Sequence, residues 1–213
     1  MRNKRQIPFK GKPRFAIVID GETEFWYLQM IKRNERSIVV NIEPKIPQRK
    51  RLSEQYENVI KLSEEYTKVF WIIDFDVLAS ETKSAKAGSK PAIQSFLAYK
   101  KTIAEKYKNI VVIVNTPCLE FWLLLHFETT SKYFDTCEGA EKQLKKHLKD
   151  YEKTQKFYTK QDNDIYLRLK PNLANALKNA KALKLFDTEN PNKGMSEMQL
   201  FFESNEFGSL FKK

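Results

Sequence analysis

Val69-Phe70-Trp71-Ile72-Ile73-Asp74-Phe75-Asp76 is the stretch whose reading decides the fold. Val69 to Ile73 is an apolar run of β-branched and aromatic residues, the make-up of a buried strand. It stops at two aspartates one residue apart. Period-2 alternation places both carboxylates on one side, about 7 Å apart along the strand. In open α/β sheets ligands bind beyond the carboxyl ends of strands. Two anions held there repel each other unless a cation lies between them, and hard oxygen ligands suit Mg²⁺ or Mn²⁺. The structural alternative is a turn with Asp76 capping a following helix.

Similar apolar runs recur on either side. Phe15 to Ile19 reads as a strand ending at Asp20-Gly21, Ile38 to Ile42 as a second, and Ile110 to Val114 as a Val-rich central strand. Helical spacing is expected over residues 22–31, 52–66 and 92–107, with a loop over 79–90 and a basic connection broken by Pro44 and Pro47. Strands alternating with helices predict an α/β Rossmannoid fold: a mostly parallel sheet with helices on both faces. The strand signal ends after Thr129, and residues 138–151, 172–184 and 195–203 read as helices. The expected organisation is a basic arm over 1–14, an α/β core over 15–130 and a helical C-terminal elaboration over 131–213.

With 213 residues, 41% of them hydrophobic, the chain can bury one sizeable core. Six glycines and no Walker-type string argue against a phosphate-cradling loop. Cys118 and Cys137 stand in no metal-ligand spacing, and two cysteines in a chain of this size suggest a reducing compartment without a disulfide framework. No secretory signal and no apolar run long enough to span a bilayer are visible, so a cytoplasmic protein without a membrane partner is expected. The net charge of +11 points to a polyanionic partner, nucleic acid above all, against the blander alternative of a Lys-rich solvated surface. The basic residues cluster in the N-terminal arm, around Lys45, Arg49, Lys50 and Arg51, and over a segment with Lys142, Lys145, Lys146, Lys149, Lys153, Lys156 and Lys160. Of these, Arg49, Lys50, Arg51, Lys142, Lys145, Lys146 and Lys149 are the candidate phosphate contacts. Such residues position a strand without reading its sequence.

Three strand ends supply acids: Asp20, Glu22 and Glu24 after the first; Asp74 and Asp76 after the third; Glu120 after the fourth. Asp20 and Glu24 are four residues apart and meet across a first helical turn. Glu120 sits in Cys118-Leu119-Glu120-Phe121-Trp122-Leu123-Leu124-Leu125-His126-Phe127, a helix apolar almost all round and hence buried. A carboxylate there must be paired, hydrogen-bonded, metal-bound or protonated; the helix dipole alone is the simpler account. Thr116 is the expected N-cap, with Pro117 in the first turn. His126, deeper in the same helix, reads as packed rather than catalytic. Asp74, Asp76, Asp20, Glu22 and Glu24 are the candidate metal ligands; Asp20, Glu24, Asp74, Asp76 and Glu120 are the candidate catalytic residues.

The strings Val18-Ile19-Asp20-Gly21-Glu22-Thr23-Glu24-Phe25-Trp26-Tyr27, Val69 to Asp76, and Asn115-Thr116-Pro117-Cys118-Leu119-Glu120-Phe121-Trp122-Leu123-Leu124-Leu125-His126-Phe127-Glu128 resemble the RloB-like family, a branch of the Toprim-fold proteins. Tyr151-Glu152-Lys153 and Asn190-Pro191-Asn192 look like the same family, and the resemblance covers roughly residues 12 to 205. It implies a Toprim-like core and an Mg²⁺-dependent nuclease acting as effector in anti-phage abortive infection, on DNA or RNA, tRNA included, often beside a partner ATPase. The family's E-G-x-x-E falls on Asp20-Gly21-Glu22-Thr23-Glu24, its D-x-D on Asp74 and Asp76, and its helix Glu on Glu120. Asp20 is one methylene shorter than the family's Glu, which matters where geometry must hold within about 0.5 Å; Glu22 or Glu24 then stands in for it. Thr116 is an insertion between the family's Asn and Pro.

Other readings compete. Asp74-Phe75-Asp76-Val77 has the look of a haloacid-dehalogenase-type phosphatase, but Asp162 and Asp164, the acids such an enzyme needs later, follow no predicted strand. A glycosyltransferase with D-x-D holding Mn²⁺ is similarly weak. The serious rival is a non-catalytic module that binds nucleic acid or docks an ATPase.

Overall fold

The computed structural model describes residues 14–19, 21–36, 40–43, 50–85, 88, 90–189, 191 and 193–204. Strands β1 (Phe15–Val18), β2 (Val40–Glu43), β3 (Lys68–Asp74), β4 (Ile110–Thr116) and β5 (Met195–Ser196) form one sheet in the order β2-β1-β3-β4-β5. The first four run parallel; β5 pairs antiparallel with β4. The predicted α/β class and mostly parallel sheet therefore hold, and β3, the decisive stretch, is central. Val69 to Ile73 are at most 2% exposed, which for aliphatic and aromatic side chains is worth roughly 1.5–3 kcal/mol each.

Alternation along β3 shows that both faces are covered. Phe70 packs edge-on against Phe201 of α10 (Gln199–Phe202). Trp71, on the opposite face, meets α2 (Leu52–Glu65) and α4 (Ala92–Lys106) through Tyr56 and Phe96. Its buried indole N–H donates to Gln55 Oε1 at 3.0 Å. Leaving that donor unpaired would cost about 1–3 kcal/mol, which explains a buried glutamine on α2.

Several expectations need correction. Extended chain ends at Asp74, and helix α3 (Phe75–Lys83) starts immediately, so Asp76 lies in a first helical turn and period-2 alternation does not relate the two aspartates. Phe75 and Leu78, three apart, are both buried, and Phe75 packs on Phe186; this helical spacing overrides the loop expected over 79–90. β4 continues through Thr116 because Asn115 and Thr116 pair with Ser196 and Met195. Thr116 is thus the end of a strand, and Cys118 is the N-cap of a short helix α5 (Leu119–Leu124). The peptide before Pro117 is cis.

The C-terminal third is not wholly helical, since it supplies β5. The segment read as one helix from 195 splits into β5 and α10, and the helix expected over 138–151 is α6 (Cys137–Leu144) followed by turns. Two short helices, α7 (Gln155–Tyr158) and α8 (Ile165–Leu169), precede α9 (Leu173–Ala182). Asp164 is fully buried: it caps α8 through Leu167 N–H and accepts from Arg33 (2.6 Å) and Asn34 (2.9 Å) of α1 (Glu22–Asn34). It is an anchor between α8 and α1, far from the phosphatase role considered for it. Asn190, Asn192 and the arm over 1–13 lie outside the described residues. No helix among the described residues is long and apolar enough to cross a membrane.

His126 is packed, as its setting suggested. It is 1% exposed, lies edge-on to Trp122 and bonds the Trp122 carbonyl through Nδ1 at 3.1 Å. Burial pushes its pKa down to about 4. As pH falls, the unfolded chain takes up this proton near pH 6.5 and the native state only near 4, so stability drops across that window, by on the order of 3 kcal/mol from this group. Urea melts of wild type and His126→Asn at pH 7.0, 5.5 and 4.5 should show a flatter pH dependence in the variant, whose amide keeps a donor for the Trp122 carbonyl.

Candidate functional site

The chain runs from β1 to β2 on one side and returns to β3 on the other, so the strand order reverses between β1 and β3. At the carboxyl end of such a switch point a parallel sheet opens a crevice. A cleft of about 270 Å³ lies there, lined by Gly21, Thr23 and Glu24 after β1, Asp74, Asp76 and Val77 after β3, and Cys118, Cys137 and Lys153.

Each acid is placed by a local cause. Asp74 is the last residue of β3, and its register partner is Asn115. Asn115 Nδ2 donates to Asp74 Oδ1 at 3.1 Å, and Leu119 N–H donates to Oδ2 at 3.2 Å. Asn115 is itself oriented from β5: Ser196 Oγ donates to its Oδ1 at 2.7 Å and accepts from Met198 N–H. Asp76 N–H bonds the Pro117 carbonyl at 3.0 Å, tying the first turn of α3 to the end of β4. Burial raises the Asp76 pKa; Lys153 and the backbone amides of Cys137 and Val77 pull it down without cancelling the rise. Glu24, in the first turn of α1, is 3% exposed. A Cβ at position 21 would collide with its carboxylate, so Gly21 is what lets Glu24 fold over the start of the helix.

Glu120 lies fully buried. Its Oε1 accepts from Tyr151 at 2.6 Å and is 2.9 Å from Lys153 Nζ; Tyr151 in turn shares a 2.7 Å hydrogen bond with Tyr158. Burial and the neighbouring Tyr158 and Glu120 push the Tyr151 pKa far up, so the phenol stays a donor. Burial works against the Lys153 ammonium, but Glu120, with Asp74 and Glu24 beyond it, outweighs burial and holds its pKa above the ordinary lysine value. One cation is thus shared among acids from three strand ends.

The structure brings Glu24, Asp74 and Asp76 together and sets Glu120 beneath them. Glu22 is exposed on α1 and does not line the cleft. Asp20 and Arg49 lie outside the described residues. Arg51 caps α2, whose other end meets the start of β1 through Arg14 and Glu65; Lys50 and Arg51 therefore stand at the same end of the sheet as the cleft. Lys142, Lys145, Lys146 and Lys149 are exposed on and after α6, which begins at the cleft with Cys137; Lys145 pairs with Glu141 at 2.7 Å. Lys153, expected as one more surface cation of that segment, belongs to the cleft instead.

Sequence reasoning assigned no role to Tyr151, Tyr158 or Ser196, took Lys153 only as one of a run of phosphate-facing cations, and placed Asn115 only at the start of a family string. The Tyr151-Glu152-Lys153 string and the string that opens at Asn115 were the available signals; nothing local marked Tyr158 or Ser196. The cysteines correct a further expectation: Cys118 and Cys137 are joined by a disulfide across the cleft wall, although they are 19 residues apart and neither sequence context announces the pairing.

Removing Lys153 would leave the Glu120 carboxylate buried with only the Tyr151 hydroxyl donating to Oε1. Because Lys153 is partly exposed, Lys153→Met should cost about 2 kcal/mol, below the range for fully buried pairs. Adding Glu120→Gln should recover most of the loss in chemical denaturation; additive losses would show that the two do not act as a pair.

No curated protein and no solved structure matches the chain. The family described as RloB-like protein matches residues 15–204, which takes in all four parallel strands, the cleft and the pair β5 and α10. The chain therefore belongs to the RloB-like family.

Proposed function

We propose that this protein is a metal-dependent nuclease of the Toprim type, hydrolysing phosphodiester bonds as an effector of anti-phage defence. The observation that carries the reading is the convergence of Glu24, Asp74 and Asp76 in one cleft at the switch point of a parallel sheet. The donor set fits Mg²⁺ or Mn²⁺: the available groups are carboxylate oxygens, and the two sulfurs at the site are tied to each other. Burial raises the Asp76 pKa, a penalty that a bound cation would offset. Asp74, Asp76 and Glu24 are the residues that would hold the ion, with Asp20 the remaining candidate. When bound, such an ion activates water and stabilises charge on a phosphate.

The chain's own residues have separable tasks in this reading. Asn115 and Leu119 N–H hold Asp74 in one orientation. Lys153 offers an ammonium to a phosphate oxygen, and Glu120 with Tyr151 positions that ammonium. A second depression of about 520 Å³ shares Asp76 and runs past Ser80, Lys83, Ser84 and Thr136, offering hydroxyls and a cation to a nucleic-acid backbone, with Asp135 opposing. The other reading, a non-catalytic subunit that binds nucleic acid or docks a partner ATPase, is favoured by one observation: Lys153 already supplies the acidic cluster with a cation of the chain's own.

Asp74→Asn separates the two. It keeps the side-chain shape and removes a charge, so cleavage of plasmid, genomic DNA or total tRNA in Mg²⁺ or Mn²⁺ should be lost while circular dichroism stays native. Wild type should melt higher in Mg²⁺ than in EDTA, and the variant should lose that shift. Wild-type protein that cuts nothing in any metal, with binding retained, would establish the non-catalytic reading.

If Lys50, Arg51 and the 142–149 lysines contact phosphates, binding must weaken steeply with salt. Six contacts give a log–log slope of about −5 on duplex DNA and a shallower one on single strands. Charge reversal of Lys142, Lys145, Lys146 and Lys149 together should flatten the slope measured by fluorescence anisotropy in EDTA; an unchanged slope would place the binding surface elsewhere.

A further inference from the structure

The Cys118–Cys137 bridge sits among charges. Both cysteines line the cleft, and the Asp76 carboxylate comes within 4.8 Å of both sulfurs. Lys153 Nζ is 3.0 Å from Cys137 Sγ. Glu120 Oε2 lies 2.9 Å from Cys118 Sγ and 2.8 Å from Cys137 Sγ. With the bridge closed neither sulfur carries a proton, so these are contacts without a hydrogen. With the bridge open each sulfur becomes an S–H donor facing that oxygen. The two sulfurs differ in access: Cys118 is 2% exposed at the start of α5, whereas Cys137 is partly open at the start of α6.

We propose that Cys118–Cys137 is a reversible thiol–disulfide exchange site, with Cys137 the sulfur attacked by a small thiol or dithiol, and that opening it releases Lys153 from Glu120. A reductant thiolate bonds to Cys137 Sγ and expels Cys118 as a thiolate, which takes a proton from solvent. The second thiol of a dithiol then attacks the mixed disulfide at the reductant's own sulfur. It frees Cys137, which is protonated in turn, and leaves as a cyclic disulfide; two electrons pass from reductant to protein. The Lys153 ammonium beside Cys137 attracts the anionic attacker and offsets part of the repulsion of Asp76 and Glu120. In the open form the two thiols donate to Glu120 Oε2, so the buried carboxylate depends less on Lys153. The consequence for catalysis, a freer ammonium at the phosphate when the bridge is reduced, rests on the nuclease reading; the exchange and the Glu120–Lys153 coupling do not.

The test uses the full chain purified without reductant. Native protein is exposed to increasing dithiothreitol without denaturant, quenched with iodoacetamide and mapped by peptide mass. A bridge that opens at a rate proportional to dithiothreitol while circular dichroism stays native is expected. Brief treatment of reduced protein with oxidised glutathione should give an adduct on Cys137 ahead of Cys118. A bridge that opens only at the unfolding rate, a first adduct on Cys118, or two cysteines that alkylate fully even after oxidised glutathione would overturn the site. The coupling has its own readout, the drop in melting temperature caused by Lys153→Met. It should fall by half or more in dithiothreitol, and likewise in a Cys118→Ser/Cys137→Ser background, whose hydroxyls also donate. An equal drop in both redox states would overturn the coupling, whatever the enzyme cuts.

Discussion

A single buried carboxylate organises this molecule. Glu120 sits in a helix otherwise made of apolar residues and is fully buried, a position that costs several kcal/mol unless the charge is met by donors and a counter-charge. Tyr151 and Lys153 supply both, and they come from the connection between α6 and α7. That requirement draws the C-terminal region across the sheet end. The same region is anchored separately at α1, with Asp164 bonded to Arg33 and Asn34, and Tyr166 Oη donating to Glu35 just beyond it at 2.7 Å. The cleft is the space left between the acids of β1 and β3 and the segment that Glu120 pulls over them.

The second constraint is orientation. A carboxylate at a strand end can point several ways, and Asp74 is confined by Asn115, Leu119 N–H and, behind Asn115, Ser196 of β5. A two-residue strand adds little pairing energy to the sheet, yet it fixes which way an amide two strands from the acidic turn of β1 presents its N–H₂. Glu197, next in sequence, extends that link: its carboxylate accepts from Val114 N–H at 2.9 Å and Phe186 N–H at 2.8 Å. The last described residues of the chain thus set the geometry of a side chain near its middle.

The same economy makes the site sensitive. Lys153 is close to Glu120 and to Cys137 and feels Asp74 and Glu24, so any change at one partner redistributes its charge among the others. A cation entering the cleft, a thiol opening the bridge or a phosphate approaching Lys153 would each act on the same few groups. Under the proposed reading, that shared dependence would link metal binding, redox state and substrate contact in one small volume.

The sequence by itself determined the elements whose physics is local. Apolar β-branched runs made β1, β3 and β4 legible, helical spacing made α1, α2 and α4 legible, and the buried carboxylate of Glu120 announced that it needed a partner. The family strings around Asp20, Asp74 and Glu120 were legible as well. Short-range reasoning erred where a distant partner decided the outcome. Phe75 and Leu78 found a core to bury against and turned the chain helical one residue before Asp76. Thr116 stayed extended because Met195 lay alongside it. Lys153, still partly exposed, turned its ammonium into the cleft because Glu120 attracts it, and Cys137 met Cys118 only because α5 and α6 start at the same place. A strand's hydrophobic pattern is written in consecutive residues. The partner of a buried charge, the register of an edge strand and the pairing of two cysteines are set by which segments the folded sheet brings within about 3–6 Å of one another, distances that the order of residues along the chain does not contain.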